Sequence, residues 1–242
     1  MKVTYIFHSG FLVETEKVIL VFDYYKSDMP EVVKDKSKKV YFFASHTHSD
    51  HFNPVIFEYA GSNVTYIISH DIKDKISHRD MLDNFENVNL VYVKADEKIK
   101  FDIDDAEYIE IETLKSTDRG VAFIVSLDGK TIYHAGDLNE WIFDRMDKAK
   151  RNDMIVRYDR EMNKIKDREI DIAFLPVDYR LGEYKYNGPL KFLNNTRTKI
   201  VFPMHMWKKY REIPEFKNYI DEKGIAVTIE DTDTDGKTWT ID

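Results

Sequence analysis

Short apolar runs recur along the chain, and each closes on a polar residue. They are "KVILVFD" (17–23), "KVYFFASH" (39–46), "KTIYHAGD" (130–137) and "KIVFPMH" (199–205). Apolar runs of this length, rich in β-branched residues, predict strands. "VTYIISH" (64–70), "VNLVYVK" (88–94) and the opening "MKVTYIF" read the same way, and Asp128-Gly129 divides the apolar stretch 121–137 into the two arms of a hairpin. Helical signals fall between the strands. Asn53-Pro54 offers an N-cap and a proline at the first helical position, and "DIKDKISHRDML" (71–82) is amphipathic. The charged segment 141–170 places Met146, Met154, Tyr158, Met162 and Ile165 at helical spacing and contains no Pro, Gly or Ser. It predicts a pair of surface helices, a helical insertion within one domain spanning 1–242, and not a linker. Alternating strands and helices predict the α/β class. One order occurs twice: a strand with an acidic tip (Asp23, Asp137), then a later strand with an imidazole tip (His46, His205). Two such halves would form a site between their strand ends, where ligands bind in α/β sheets.

Composition narrows the class. At 242 residues, 43% hydrophobic and 33% charged, the chain is expected to be globular. The apolar runs are too short to span a bilayer, and "MKVTYIFHSGF" reads as a first strand and not a leader, so a cytoplasmic protein with no membrane partner is expected. A formal charge of −8 argues against nucleic acid as a partner. There is no cysteine, so any metal must be held by nitrogen and oxygen ligands. Nothing in the sequence specifies an oligomeric state.

The chemistry concentrates in "ASHTHSDHFNP", which puts His46, His48, Asp50 and His51 within six positions. On an extended segment His46 and His48 point to one side. Imidazole and carboxylate together are the donor set of hydrolytic metals. Four ligands in a loop can serve two ions, which then need further ligands and an acid able to bridge. Asp137 in "HAGD" and His205 in "PMHMW", each at a strand end, are the candidates.

"HTHSDH", followed by "HAGD" and "PMH", resembles the signature of the metallo-β-lactamase-fold hydrolases. "HSGFLVE" (8–14) before "VILVFD" resembles the opening of their small-molecule branch, which includes ascorbate-phosphate lactonase-like enzymes; the matches run from 8 to 207. The resemblance implies a four-layer αββα sandwich, with two facing mixed β-sheets and outer helices. It also implies that His46 and His48 bind a first metal, that Asp50, His51 and His205 bind a second, that Asp137 bridges, and that Asp23 braces the histidine loop. Family members usually give the first metal a third histidine, where this chain has Ser116, Thr117 and Asp118. The expectation is therefore asymmetric: a firm ion at Asp50/His51/Asp137/His205 and a weaker one at His46/His48/Asp137, unless Asp118 or a hydroxyl substitutes. Zinc is the expected metal, with manganese or iron as alternatives.

His8 and Trp207 are expected near the substrate, and Trp141 is equally compatible with pocket or core. His134, three residues before Asp137, is expected on the other sheet face as a packed residue, and His70 and His78 are expected to cap or to lie on the surface. The expected activity is that of a metal-dependent hydrolase. A metal-bound hydroxide oriented by Asp50 would attack a small-molecule ester, lactone, amide or phosphodiester. The alternative, motivated by "KSTD" (115–118), is a degenerate member that binds a metal or metabolite without turnover.

Overall fold

Val18, Leu20 and Phe22 face one side of their strand and Ile19 and Val21 the other, and all five are fully buried. A strand of this kind must be covered twice. The computed structural model, which describes residues 1–77 and 88–242, supplies both covers.

The first sheet runs in sequence order through β1 (Lys2–Phe7), β2 (Gly10–Glu14), β3 (Val18–Phe22), β4 (Lys39–Ala44), β5 (Val64–Ser69) and β6 (Asn89–Val93). The second does the same through β7 (Lys98–Asp102), β8 (Tyr108–Lys115), β9 (Val121–Leu127), β10 (Lys130–His134), β11 (Glu169–Pro176), β12 (Arg197–Met204) and β13 (Thr228–Ile229). The last strand, β14 (Thr238–Thr240), returns to pair with β1. β3 to β6 are mutually parallel, as are β10 to β13, and the remaining pairs are antiparallel. The sheets meet through aromatic side chains: Phe11 lies 4.2 Å from Phe174 and Phe43 lies 5.1 Å from Phe123, ring to ring. Helices α1 (Lys73–Ser77), α2 (Lys148–Lys164), α3 (Asn187–Asn195) and α4 (Glu212–Glu222) complete the outer layers, so the fold is the αββα sandwich that the motifs implied. No helix among the described residues is long and apolar enough to cross a membrane.

Several elements depart from the sequence reading. The segment 141–170 holds one helix, not two. Asp147 caps α2 by accepting from the Lys150 amide at 2.9 Å, and the residues before it stay irregular because Trp141 and Ile142 pack against Leu181. Its Met154, Tyr158 and Met162 are buried as a packing stripe. The same charged tract hides the start of β11, whose leading Glu169 precedes a fully buried run. β7 and β8 also escaped the apolar pattern, because their residues alternate between buried and partly or fully exposed. Asn53 does cap the next turn through its side chain, but Pro54–Tyr59 is a 3-10 helix. Of the amphipathic stretch 71–82, α1 covers Lys73–Ser77; residues 78–82, with His78, lie outside the described residues.

The parallel strands bring their carboxyl ends to one edge of the sandwich. Asp23 follows β3, His46 follows β4, Asp137 follows β10 and His205 follows β12.

Candidate metal centre

The base of the site is Asp23, fully buried in a left-handed turn at φ 41°. Its Oδ1 accepts from the Ser45 amide at 2.7 Å, and its Oδ2 accepts from the Ser45 hydroxyl at 2.6 Å and from His51 Nδ1 at 2.7 Å. Ser45 has a single hydroxyl proton, which it donates to Asp23. The contact of Ser45 Oγ with His46 Nδ1 at 3.0 Å therefore has His46 donating. One carboxylate thus sets two imidazoles, His51 directly and His46 through Ser45. Burial pushes the Asp23 pKa up, and the neighbouring His134 and His51 outweigh it, leaving Asp23 below its usual range.

Two glycines let the backbone close on Ser45. A Cβ on Gly120 would stand 1.9 Å from the Ser45 carbonyl oxygen, and one on Gly136 would stand 2.6 Å from Ser45 Cβ. Both have positive φ.

On the second sheet, His205 follows β12 and its Nδ1–H donates to Asp178 Oδ2 at 3.0 Å. His46, His51 and His205 are therefore the same tautomer, each presenting Nε2 to the centre. Asp137 lies between them. Its Oδ1 is 3.2 Å from His51 Nε2 and 3.4 Å from His205 Nε2, while its Oδ2 is 3.5 Å from His46 Nε2. Asp50 Oδ2 lies 3.4 Å from His8 Nε2, 3.6 Å from His205 Nε2 and 3.7 Å from His51 Nε2.

The potential ligand atoms form two groups, each within a 4.8 Å span: His8, Asp50, His51 and His205, and His46, His48, Asp118 and Asp137. In the second, His48 Nδ1 is 3.0 Å from His46 Nε2 and 3.5 Å from Asp118 Oδ2. All six residues assigned to metal from the sequence converge here. His8, expected only near the substrate, joins the buried group, and Asp118 stands in the half-exposed one.

Whether these residues suit a cation is answered by atoms without partners. His8 Nε2, His51 Nε2, His205 Nε2 and Asp137 Oδ1 are buried and make no hydrogen bond. Leaving such groups unpaired is costly, so an atom that accepts their lone pairs fits the cradle. The carboxylates make the centre favour positive charge, which protons on His205 and His51 supply and an incoming cation would replace. Burial would lower the His205 pKa, but the Asp137 carboxylate and the Asp178 hydrogen bond raise it to about 9. His51 is raised well above its ordinary value, the field of Asp137 and Asp23 outweighing burial. Burial pushes Asp50 up, and the nearby imidazoles of His205, His8 and His51 more than reverse that, so it is ionised. His8 is driven down to about 4 and His46 to about 3, chiefly by burial, so both imidazoles are neutral and able to ligate.

A cavity of about 450 Å³ opens over the centre. Its walls include Asp50, Trp141, Phe143, Met146, Arg180 and Trp207. Trp141 serves pocket and core together: its Nε1 donates to the Asp137 carbonyl at 2.7 Å and its side chain is buried. Trp207, in a left-handed turn at φ 50°, is 39% exposed and lies 4.4 Å from the His8 ring. Met146 and Met154 also line the cavity, so they do more than pack. His134 is a packed residue: Gly136 donates to its Nδ1 at 3.1 Å and its Nε2 donates to the Ser9 carbonyl at 2.9 Å. His70 is exposed at the turn before α1.

The sequence reading missed Ser45, Asp178 and Arg180. A signal for Asp178 was available, since "FLPVD" is one more apolar strand followed by an acid, like Asp23 and Asp137.

A family model described as "Beta-lactamase superfamily domain" matches residues 2–156. Among curated proteins, the chain is similar to a metal-dependent hydrolase of Thermococcus kodakarensis, 26% identical over 244 residues, covering 95% of this chain and 96% of the relative. A metal-dependent hydrolase of Nanoarchaeum equitans is 28% identical over 242 residues, with 95% and 96% covered. Among solved structures, a metallo hydrolase of Ignicoccus hospitalis superposes with a TM-score of 0.66 at 23% identity, covering 100% of this chain and 98% of that one.

Proposed function

The chain belongs to the family of the β-lactamase superfamily domain, and from that premise we propose that it is a metal-dependent hydrolase acting on a small-molecule ester, lactone, amide or phosphodiester. The observation that carries the reading is the set of four buried, unpartnered ligand atoms on His8, His51, His205 and Asp137. The names of the relatives from Thermococcus kodakarensis and Nanoarchaeum equitans support it.

In this reading His51, His205, Asp50 and His8 hold the firmer ion, and His46, His48 and Asp118 hold the weaker one, with Asp137 shared. A zinc ion held there supplies Lewis acidity, polarising a substrate oxygen and lowering the pKa of water from about 15.7 toward about 7.

The chain's own groups do the rest. Asp50 is ionised, is 19% exposed and faces the cavity, so it accepts a hydrogen bond from the attacking water and holds it in line. Asp23 and Asp178 keep the Nε2 atoms of His51 and His205 directed inward, which removes the cost of reorienting them. Trp141 and Phe143 exclude bulk water from the apolar side of the cavity.

The test is hydrolysis of simple aryl esters and of bis(p-nitrophenyl) phosphate with zinc, manganese or iron added, beside an Asp50→Ala control. Metal-dependent turnover that collapses in the control supports the reading. Metal uptake without turnover of either class favours a member that binds a metal or metabolite without reacting. The half-exposed second group, with a carboxylate at Asp118, gives that outcome a structural basis.

A further inference from the structure

We propose that Arg180 anchors an anionic group of the substrate, and that the molecule it selects combines an apolar body with one such group, a carboxylate or a phosphate ester. This rests on the hydrolase reading given above.

Arg180 is the one arginine or lysine among the described residues lining the cavity. Its position is set from two sides. Nε donates to both oxygens of Asp178 at 2.9 Å, and the guanidinium lies 5.1 Å over the Trp207 ring. Asp178 also holds His205, so the guanidinium and the metal centre share one buried carboxylate and keep a fixed separation. Nε and Nη2 are spent on Asp178, whereas Nη1 has no hydrogen-bond partner among the described residues. The side chain is 42% exposed, which leaves those donors open to a ligand.

Pairing with Asp178 uses only Nε and Nη2, so that role leaves the Nη1 side of the guanidinium uncommitted at the cavity. A planar fork held against a carboxylate and an aromatic ring, with donors to spare, is the geometry by which arginine receives carboxylate or phosphate oxygens.

The other cavity wall has the opposite chemistry. Trp141, Phe143, Met146 and Met154 line it, two aromatic and two thioether side chains. Methionines adapt to varied apolar shapes, and a purely polar substrate would gain nothing from them. The centre already contains the carboxylates of Asp50, Asp118 and Asp137, which penalise every additional negative charge not met by Arg180 or an ion. One anionic group, not several, is the charge this cavity accommodates.

The test uses zinc-loaded protein and tryptophan fluorescence, with phenylpropionate, phenylpropionamide and the phosphonate of the same phenylethyl body as probes. The expected result is that at least one anion binds about tenfold or more tightly than the amide, the value of one charge-assisted hydrogen bond. The arm that shows the preference separates carboxylate from phosphate recognition. Arg180→Met should abolish the preference, and Arg180→Lys should restore part of it without the fork. Phe143→Ala should weaken acid and amide alike. Zinc content is measured on every sample. A loaded wild type indifferent to probe charge, or an Arg180→Met variant that keeps the preference, overturns the Arg180 assignment and leaves the hydrolase reading standing. A chain that takes up no metal sinks the hydrolase reading instead.

Discussion

His51 Nδ1 and Asp23 Oδ2 stand 2.7 Å apart, and neither side chain has any exposed surface. The aspartate comes from the end of β3 and the histidine from the loop after β4, two neighbouring parallel strands. Their contact converts the register of a strand pair into the direction of an imidazole. The other ring nitrogen then has one orientation available, toward Asp137.

Asp23→Asn keeps the shape of this brace and removes its charge. Loss of a partner behind a ligating histidine typically weakens metal binding by about 10–100-fold. Zinc affinity, read by competition with a chromophoric chelator, should fall within that range. A change under about twofold would show that His51 is oriented by packing alone.

Asp137 faces both ligand groups, and His48 belongs to one. Asp137→Ala should therefore lose both ions, while His48→Ala should keep the ion of the buried group. In the native chain, titration should fill the buried group first and the half-exposed one at higher metal concentration. Elemental analysis and calorimetry read both results. Two ions of equal affinity in the native chain would contradict the asymmetry.

Metal should stabilise the fold. An ion at a free concentration of about 100 times its dissociation constant contributes about 2.7 kcal/mol. For a chain of this size that raises Tm by about 5–10 °C. Differential scanning calorimetry with zinc and then with excess EDTA checks this. The same melting temperature in both would mean that the orphaned atoms of His8, His51 and His205 bind no ion in solution.

Gly136→Ala should strike both stability and metal binding. The added Cβ meets Ser45 Cβ at 2.6 Å and Oγ at 2.7 Å, on backbone at φ 50°. Left-handed strain and overpacking together should cost about 2–4 kcal/mol. Because Ser45 links Asp23 to His46, metal at the His46 group should weaken more than metal at the His205 group. Denaturant unfolding measures the first effect and metal titration the second; equal weakening of both groups would contradict the Ser45 linkage.

Much of this was legible along the chain, for local reasons. The runs that became β3, β4, β5 and β10 announce strands because both faces of each must be apolar, and the polar residues that close them lie at the sheet edge by construction. His46, His48, Asp50 and His51 are neighbours in the chain, so a single turn gathers them whatever the rest does. Asp137 and His205 could be picked out because each follows an apolar run.

The remainder depended on which surfaces meet. β8 gave no apolar run because one side of it is only half covered, and β11 began inside a charged tract. His8 becomes part of the buried group because β1 and β12 belong to different sheets whose packing brings residue 8 within ring contact of His205, at 4.3 Å. Arg180 carries no motif, and Asp178, although it too follows an apolar strand, acquires its role only when β11 is placed beside β12. Residue types at strand ends were written locally, because alternation and turns are short-range. The meeting of particular nitrogens and oxygens was decided by the packing of two sheets, because residues more than a hundred positions apart have no other means of fixing ångström distances.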